Sequence, residues 1–252
     1  MLSWTARAAT NDTPHVYPSG FSIALKLGGT LFEALPPEWQ QIVSPAPVVL
    51  DMSDTPMVAP VAQKDDDKTT RQVSASLGFI DLLNHVAHAK AIDRIEPGYF
   101  QKYVLNLSRT DTNGAVPEVP NISDNRYWTE SVMNDQLSFF NQMFGLTIAI
   151  NLSHHYLGVY DRYATQLSGA KPTPINKLLT PEEWKAAFRA GALNSLNCAL
   201  GVDGVHALLD AFDKMPARPP WTTFIVPANA SIRQLNADLT QYEADFFHGK
   251  FH

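Results

Sequence analysis

Four histidines and one aspartate stand out by type and spacing. Asp81, His85 and His88 follow one another at i, i+4 and i+7. On a helix turning about 100° per residue these positions share one arc. His154 and His155 form a second group, with Asn151, Gly158 and Asp161 on the stripe of His154. Neutral imidazole is both a hydrogen-bonding group and a ready ligand for a divalent metal. If the two histidine-bearing helices pack face to face, His85, His88 and His154 become three metal ligands, with His155 and Asp81 as alternates or supports. Three imidazoles and a carboxylate or water suit Zn, Fe(II), Ni or Mn. An open coordination position would then activate water for hydrolysis of a small-molecule substrate, or bind oxygen.

A second reading stays open beside this one. Buried histidines are often hydrogen-bonded core residues, and His-x-x-His is short enough to arise by chance. Under that reading the chain is a non-catalytic helical binding or structural protein. Consecutive residues diverge by about 100°, so His154 and His155 cannot both face one ligand. Stronger metal signatures are missing from the sequence: there is no His-Glu-x-x-His, and no pair of Glu-x-x-His helices.

The elements that must position these residues are mainly helical. The expected fold is a multi-helix, bundle-like single domain with an irregular, Pro-rich segment over residues 1–68 and a helical part over 69–252. At most one or two short strands are expected, from Val48-Val49-Leu50 and Trp221–Val226. Eight prolines within residues 1–68 disfavour long helices there, although Phe21–Leu35 and the turn opened by Pro36-Pro37 read as helical. The first strong helix is expected from Thr70 to Asp93, apolar nearly all round and so buried. Tyr99–Leu107 reads as a further helix after Pro97-Gly98. A long helical pattern runs from Asp124 to Leu167, bent or broken at Gly145 or Gly158. Thr180-Pro181-Glu182-Glu183 is a helix start with a capping box, and that helix is expected to end at Gly201. Asp203 is expected to cap a shorter helix, and Ser231/Gln234 a last amphipathic one.

Composition narrows the function classes. Hydrophobic residues at 45% supply a substantial core, so disorder is not expected for the bulk of the 252-residue chain. A net charge of −6 without basic clusters argues against nucleic acid and against an anionic membrane surface as partners. No stretch reaches the length of a membrane span. The single cysteine, Cys198, excludes internal disulfides and reads as core. It fits a cytoplasmic or a periplasmic protein, with Thr5–Ala9 as the remnant of a signal if one was removed.

Weaker features have bland explanations. Lys64-Asp65-Asp66-Asp67-Lys68 lacks the glycine turn and distal glutamate of a calcium loop and reads as a charged surface loop. Ser19 lacks the flanking glycine of a nucleophile elbow. His206, Asp210 and Asp213 read as a solvated helix face, and His248 and His252 as terminal. Asn11, Asn106, Asn121, Asn151 and Asn229 match the glycosylation tripeptide, the Asn151 match falling in an apolar helix.

Overall fold

The computed structural model describes residues 16–65, 68–109, 116–168 and 173–250. Thr5–Ala9, Asn11, His252 and the Asp66-Asp67 pair of the charged run lie outside the described residues. The chain is mainly α. Its helices are α1 (Phe21–Glu33), α2 (Pro37–Gln40), α3 (Leu77–Ile92), α4 (Tyr99–Leu107), α5 (Glu130–Tyr156), α6 (Val159–Leu167), α7 (Pro181–Asn197), α8 (Asp203–Lys214) and α9 (Ile232–Phe247). Among the described residues three strands, β1 (Val48–Asp51), β2 (Val58–Asp65) and β3 (Lys68–Ser76), form one sheet in the order β1-β3-β2. β3 pairs parallel to β1 and antiparallel to β2. Among the described residues no helix is long and apolar enough to cross a membrane.

The segment from Thr70 to Ser76 is strand, not the first turns of a helix. Val73 and Ala75 are buried and Gln72 is more exposed, the two-residue alternation of a pleated strand. Ser76 ends the strand and starts α3. Its hydroxyl accepts the Phe79 amide at 3.0 Å and the Met57 amide at 2.8 Å, and donates to Thr55 O at 2.8 Å. Gly78 sits where the chain at Asp54 crosses the start of α3. A Cβ there would lie 2.0 Å from the Asp54 carbonyl oxygen.

The long helical pattern is divided. A 3-10 turn over Asn125–Trp128 precedes α5, which runs unbroken through Gly145 and ends at Tyr156, and Gly158 separates it from α6. Gly158 adopts φ +68°, a left-handed conformation that glycine reaches without steric cost. The Trp221–Val226 strand expectation is also corrected. Pro220–Phe224 is a 3-10 turn, closed by the Thr222 and Thr223 hydroxyls donating to Pro219 O and Pro220 O at 2.8 and 2.7 Å. Prolines 219 and 220 cannot supply ladder N–H groups, which favours the turn.

The capping box of α7 is complete, with Thr180 Oγ1 accepting the Glu183 amide at 3.2 Å and Glu183 Oε2 accepting the Thr180 amide at 2.8 Å. Ser231 caps α9 from one side only, because the Gln234 side chain turns instead to Asp238 at 2.8 Å. α7 ends at Asn197, earlier than Gly201, and Asp203 is the first residue of α8, after Val202 at the cap. At the centre lies α5. Its buried side chains pack against α3, α7 and α8, with Phe144 meeting Phe79 at a ring separation of 6.2 Å.

Candidate functional site: two histidine groups

The arc on α3 exists and is covered. Residues 16–20 lie across it as a strap, and Tyr17 sets its ring against His85 (centroids 5.7 Å), His88 (5.4 Å) and Trp128 (5.3 Å). His88 is fully buried, with both ring nitrogens engaged. Nε2 lies 2.7 Å from the Tyr127 carbonyl oxygen and Nδ1 lies 3.0 Å from the Tyr17 hydroxyl. A carbonyl only accepts, so the proton sits on Nε2 and Nδ1 accepts from Tyr17. This fixes the neutral tautomer. Burial, reinforced by Tyr99, Asp81 and Glu118, holds the Tyr17 phenol well above its ordinary pKa, so it remains a donor.

His85 is partly buried, one helical turn away. Its Nδ1 is enclosed without a hydrogen-bond partner, while the ring is bonded to the backbone of Pro117. Tyr103 stands edge-on at 6.4 Å and donates to the same Pro117 oxygen at 3.4 Å. Burial, then neighbouring His88, pushes the His85 pKa down to about 4. Asp81 is partly exposed. Burial and the nearby Asp54 carboxylate push its pKa up to about 6.

Beneath the strap lies a polar knot that the spacing arguments did not identify. Ser19 donates to Asn84 Oδ1, the Asn84 amide donates to Ser19 O at 2.9 Å, and Gln136 Nε2 donates to Ser19 Oγ at 3.0 Å and Asn84 Oδ1 at 2.8 Å. All three side chains are buried. The available signal was weak: Asn84 is the one amide of α3, but Gln136 is one of five along α5. Ser19, unpromising as a nucleophile, is a tie between strap, α3 and α5.

The second group stands on the last turn of α5. His154 is buried, and among the described residues neither of its ring nitrogens has a partner. Burial, then His155, pushes its pKa down to about 3. His155 donates from Nε2 to the Gln72 carbonyl of β3 at 2.8 Å, packs against Tyr160 at 4.8 Å, and keeps an enclosed, unpartnered Nδ1. Its pKa falls to about 4, chiefly through burial, with the Gln72 bond opposing. Asp161 is engaged elsewhere, ion-paired with Arg71 at 3.1 Å.

The structure does not bring the two groups together. α3 and α5 run antiparallel: Phe79 meets Phe144, Asn84 meets Gln136, and His88 meets Tyr127 just before α5 begins. His85 and His88 are therefore at the first end of α5, and His154 and His155 at its last turn. From Glu130 to His154 the axis covers roughly 36 Å at about 1.5 Å per residue. Imidazoles on one metal stand about 3–4 Å apart between nitrogens. His85, His88 and His154 thus do not form one three-imidazole centre. Asp81 stays with the first pair. Among the described residues no group of three His, Cys, Asp or Glu side chains is arranged to hold a metal ion.

The remaining sequence candidates have local roles. His206 is partly buried, with Nδ1 2.6 Å from Asn236 Oδ1, which joins α8 to α9. Cys198 is half-buried and burial raises its thiol to about 11, away from the reactive thiolate. Asn151 is buried, unsuited to carry a glycan. No protein family, characterised protein or solved structure was found to match the chain. Fold and site define it as a mainly α protein with a small mixed sheet.

Proposed function

We propose that this chain is a non-catalytic helical binding or structural protein whose histidines serve the fold. The observation that carries this reading is His88. Both of its nitrogens are engaged, one by the Tyr17 strap and one by the Tyr127 carbonyl before α5. A histidine so placed joins three segments and has no lone pair left for a metal. His155 ties α5 to β3 through Nε2 alone, its Nδ1 being unpartnered among the described residues.

The competing reading, a metal-dependent hydrolase, is favoured by the buried imidazole nitrogens that lack partners among the described residues: both of His154, Nδ1 of the adjacent His155 and, at the other end of α5, Nδ1 of His85. It would need further donors around His154 alone. One assay separates the two. Protein purified without a histidine tag is analysed for Zn, Fe, Ni and Mn and melted with and without chelator. The expected outcome is far less than one metal per chain and an unchanged melting temperature. About one metal per chain, lost in His154→Ala, would overturn the proposal in favour of the hydrolase.

A further inference from the structure

The strap over the α3 arc lies on the molecule as a bound peptide does. Val16 and Pro18 are exposed while Tyr17 and Ser19 turn inward, the two-residue alternation of an extended segment. Pro18 favours that extended geometry at Tyr17. Among the described residues the strap backbone is hydrogen-bonded at two oxygens, Ser19 O to Asn84 Nδ2 at 2.9 Å and Gly20 O to the Ala24 amide at 3.0 Å. The rest of its hold is through side chains. The wall beneath is unlike an ordinary packing face. α3 presents Asn84, His85 and His88 there, α5 presents Gln136, and the turn before α5 presents Trp128. Elsewhere α3 buries Leu82, Leu83 and Val86. Gln136 is fully buried with its carboxamide in the Ser19–Asn84 knot, yet its Oε1 has no partner among the described residues, so the strap does not saturate the wall.

We propose that this wall is a docking groove for an extended Tyr-x-Ser segment of a partner protein, and that the chain's own strap fills it as an autoinhibitory contact. The inference rests on the binding-protein reading above and names its partner. The hydrogen-bonding inventory selects the segment. His88 carries its proton on Nε2, so Nδ1 requires a donor, which a phenol supplies and a phenyl ring does not. Two residues on, the wall requires one group that accepts from Gln136 Nε2 and donates to Asn84 Oδ1, the capacity of a hydroxyl. The residue between faces outward and is not read. The strap leads into α1 at Gly20, an N-cap without a side-chain cap bond, so lifting the strap costs α1 no such bond. The groove is then open in a minor fraction of molecules, and a partner's apparent affinity is reduced by that fraction.

The test is an NMR titration of the full chain with a capped Val-Tyr-Pro-Ser-Gly peptide, the sequence of residues 16–20, followed at the Trp128 indole. The control peptide is Val-Phe-Pro-Ala-Gly. Tyr17→Ala, which empties the groove of its own ring, should bind the first peptide saturably and the control at least tenfold more weakly. Wild type should bind the first peptide saturably too, but about tenfold or more weakly than Tyr17→Ala, because its strap competes. At saturation the wild-type Val16 and Tyr17 amides should move, as the strap leaves. Ser19→Ala replaces Tyr17→Ala if the latter does not fold, and the wild-type titration needs no variant. A folded Tyr17→Ala protein that does not bind, a control peptide that binds equally, or a wild type without binding at millimolar peptide would each overturn the proposal. A wild-type dimer in sedimentation that the peptide dissociates would also overturn it, assigning the groove to the strap of a second copy. Metal analysis and peptide titration are separate readouts, so failure of the earlier reading is told from failure of this one.

Discussion

At the scale of single residues, the chain shows how a polar group is made tolerable in a core. His88 meets no water and needs none, because a phenol and a carbonyl satisfy both ring nitrogens. The bond from Tyr17 is therefore structural in effect although both partners are chemically active types. Tyr17→Phe removes the phenol that donates to the buried His88 Nδ1, so we expect a loss of about 1–3 kcal/mol in urea unfolding. The ¹⁵N resonance of that nitrogen should move at the same time. A stability unchanged within error would show that the strap contributes nothing through this contact. Asp81 and His85 illustrate the opposite displacement of two neighbouring groups, the carboxyl up to about 6 and the imidazole down to about 4, both chiefly by burial of the charged form.

At the scale of elements, local chemistry sets the starts and stops while packing sets the secondary structure of ambiguous runs. The Thr180 box and the Ser231 cap were legible because hydroxyls and amides three residues apart meet without tertiary help. The run from Thr70 to Ser76 was not, since it adjoins a strong helix and becomes strand through pairing with β1 and β2. Gly78 and Gly158 are required for different reasons. At Gly78 a methyl group would meet Asp54 backbone at 2.0 Å, whereas Gly158 has open space but φ +68°. Gly158→Ala should cost about 1–2 kcal/mol, the ordinary penalty of a left-handed residue. Gly78→Ala should cost more, because the loop at Asp54 and the start of α3 must separate. Chemical denaturation of the two variants gives the order, and the reverse order would contradict the crossing described here.

At the scale of the whole molecule, the buried histidines make stability depend on pH. His154 and His155 have folded pKa values of about 3 and about 4, against an ordinary 6.5. The unfolded chain therefore takes up their protons first as the pH falls. Their contribution is fully present above about pH 6.5 and is lost progressively as pH drops toward 4 and 3, by at most about 1.4 kcal/mol per pH unit for each group. Asp81, raised to about 6 from 3.8, runs the other way: its contribution is present below 3.8 and is lost as pH rises through 6. Because Asp81 is partly exposed, it offsets only part of the histidine effect. Urea midpoints measured from pH 7.5 to 4.5 should fall, and His154→Leu should flatten that slope. A flat wild-type profile would mean that these rings are not held neutral.

The sequence alone determined that the chain is mainly α, that α3 and α5 are inner helices, and that each carries histidines on a helical arc. Those properties follow from periodicity and capping, which are short-range. Only the tertiary structure decided how α3 lies along α5. Each histidine arc is written in residues four apart or fewer, but the antiparallel register that separates the arcs by the length of α5 is fixed elsewhere: by the Asn84–Gln136 contact, the Phe79–Phe144 contact and a strap arriving from Tyr17 and Ser19. Spacing along one helix carries no information about where another helix will cross it, which is why two sound local patterns did not add up to one centre.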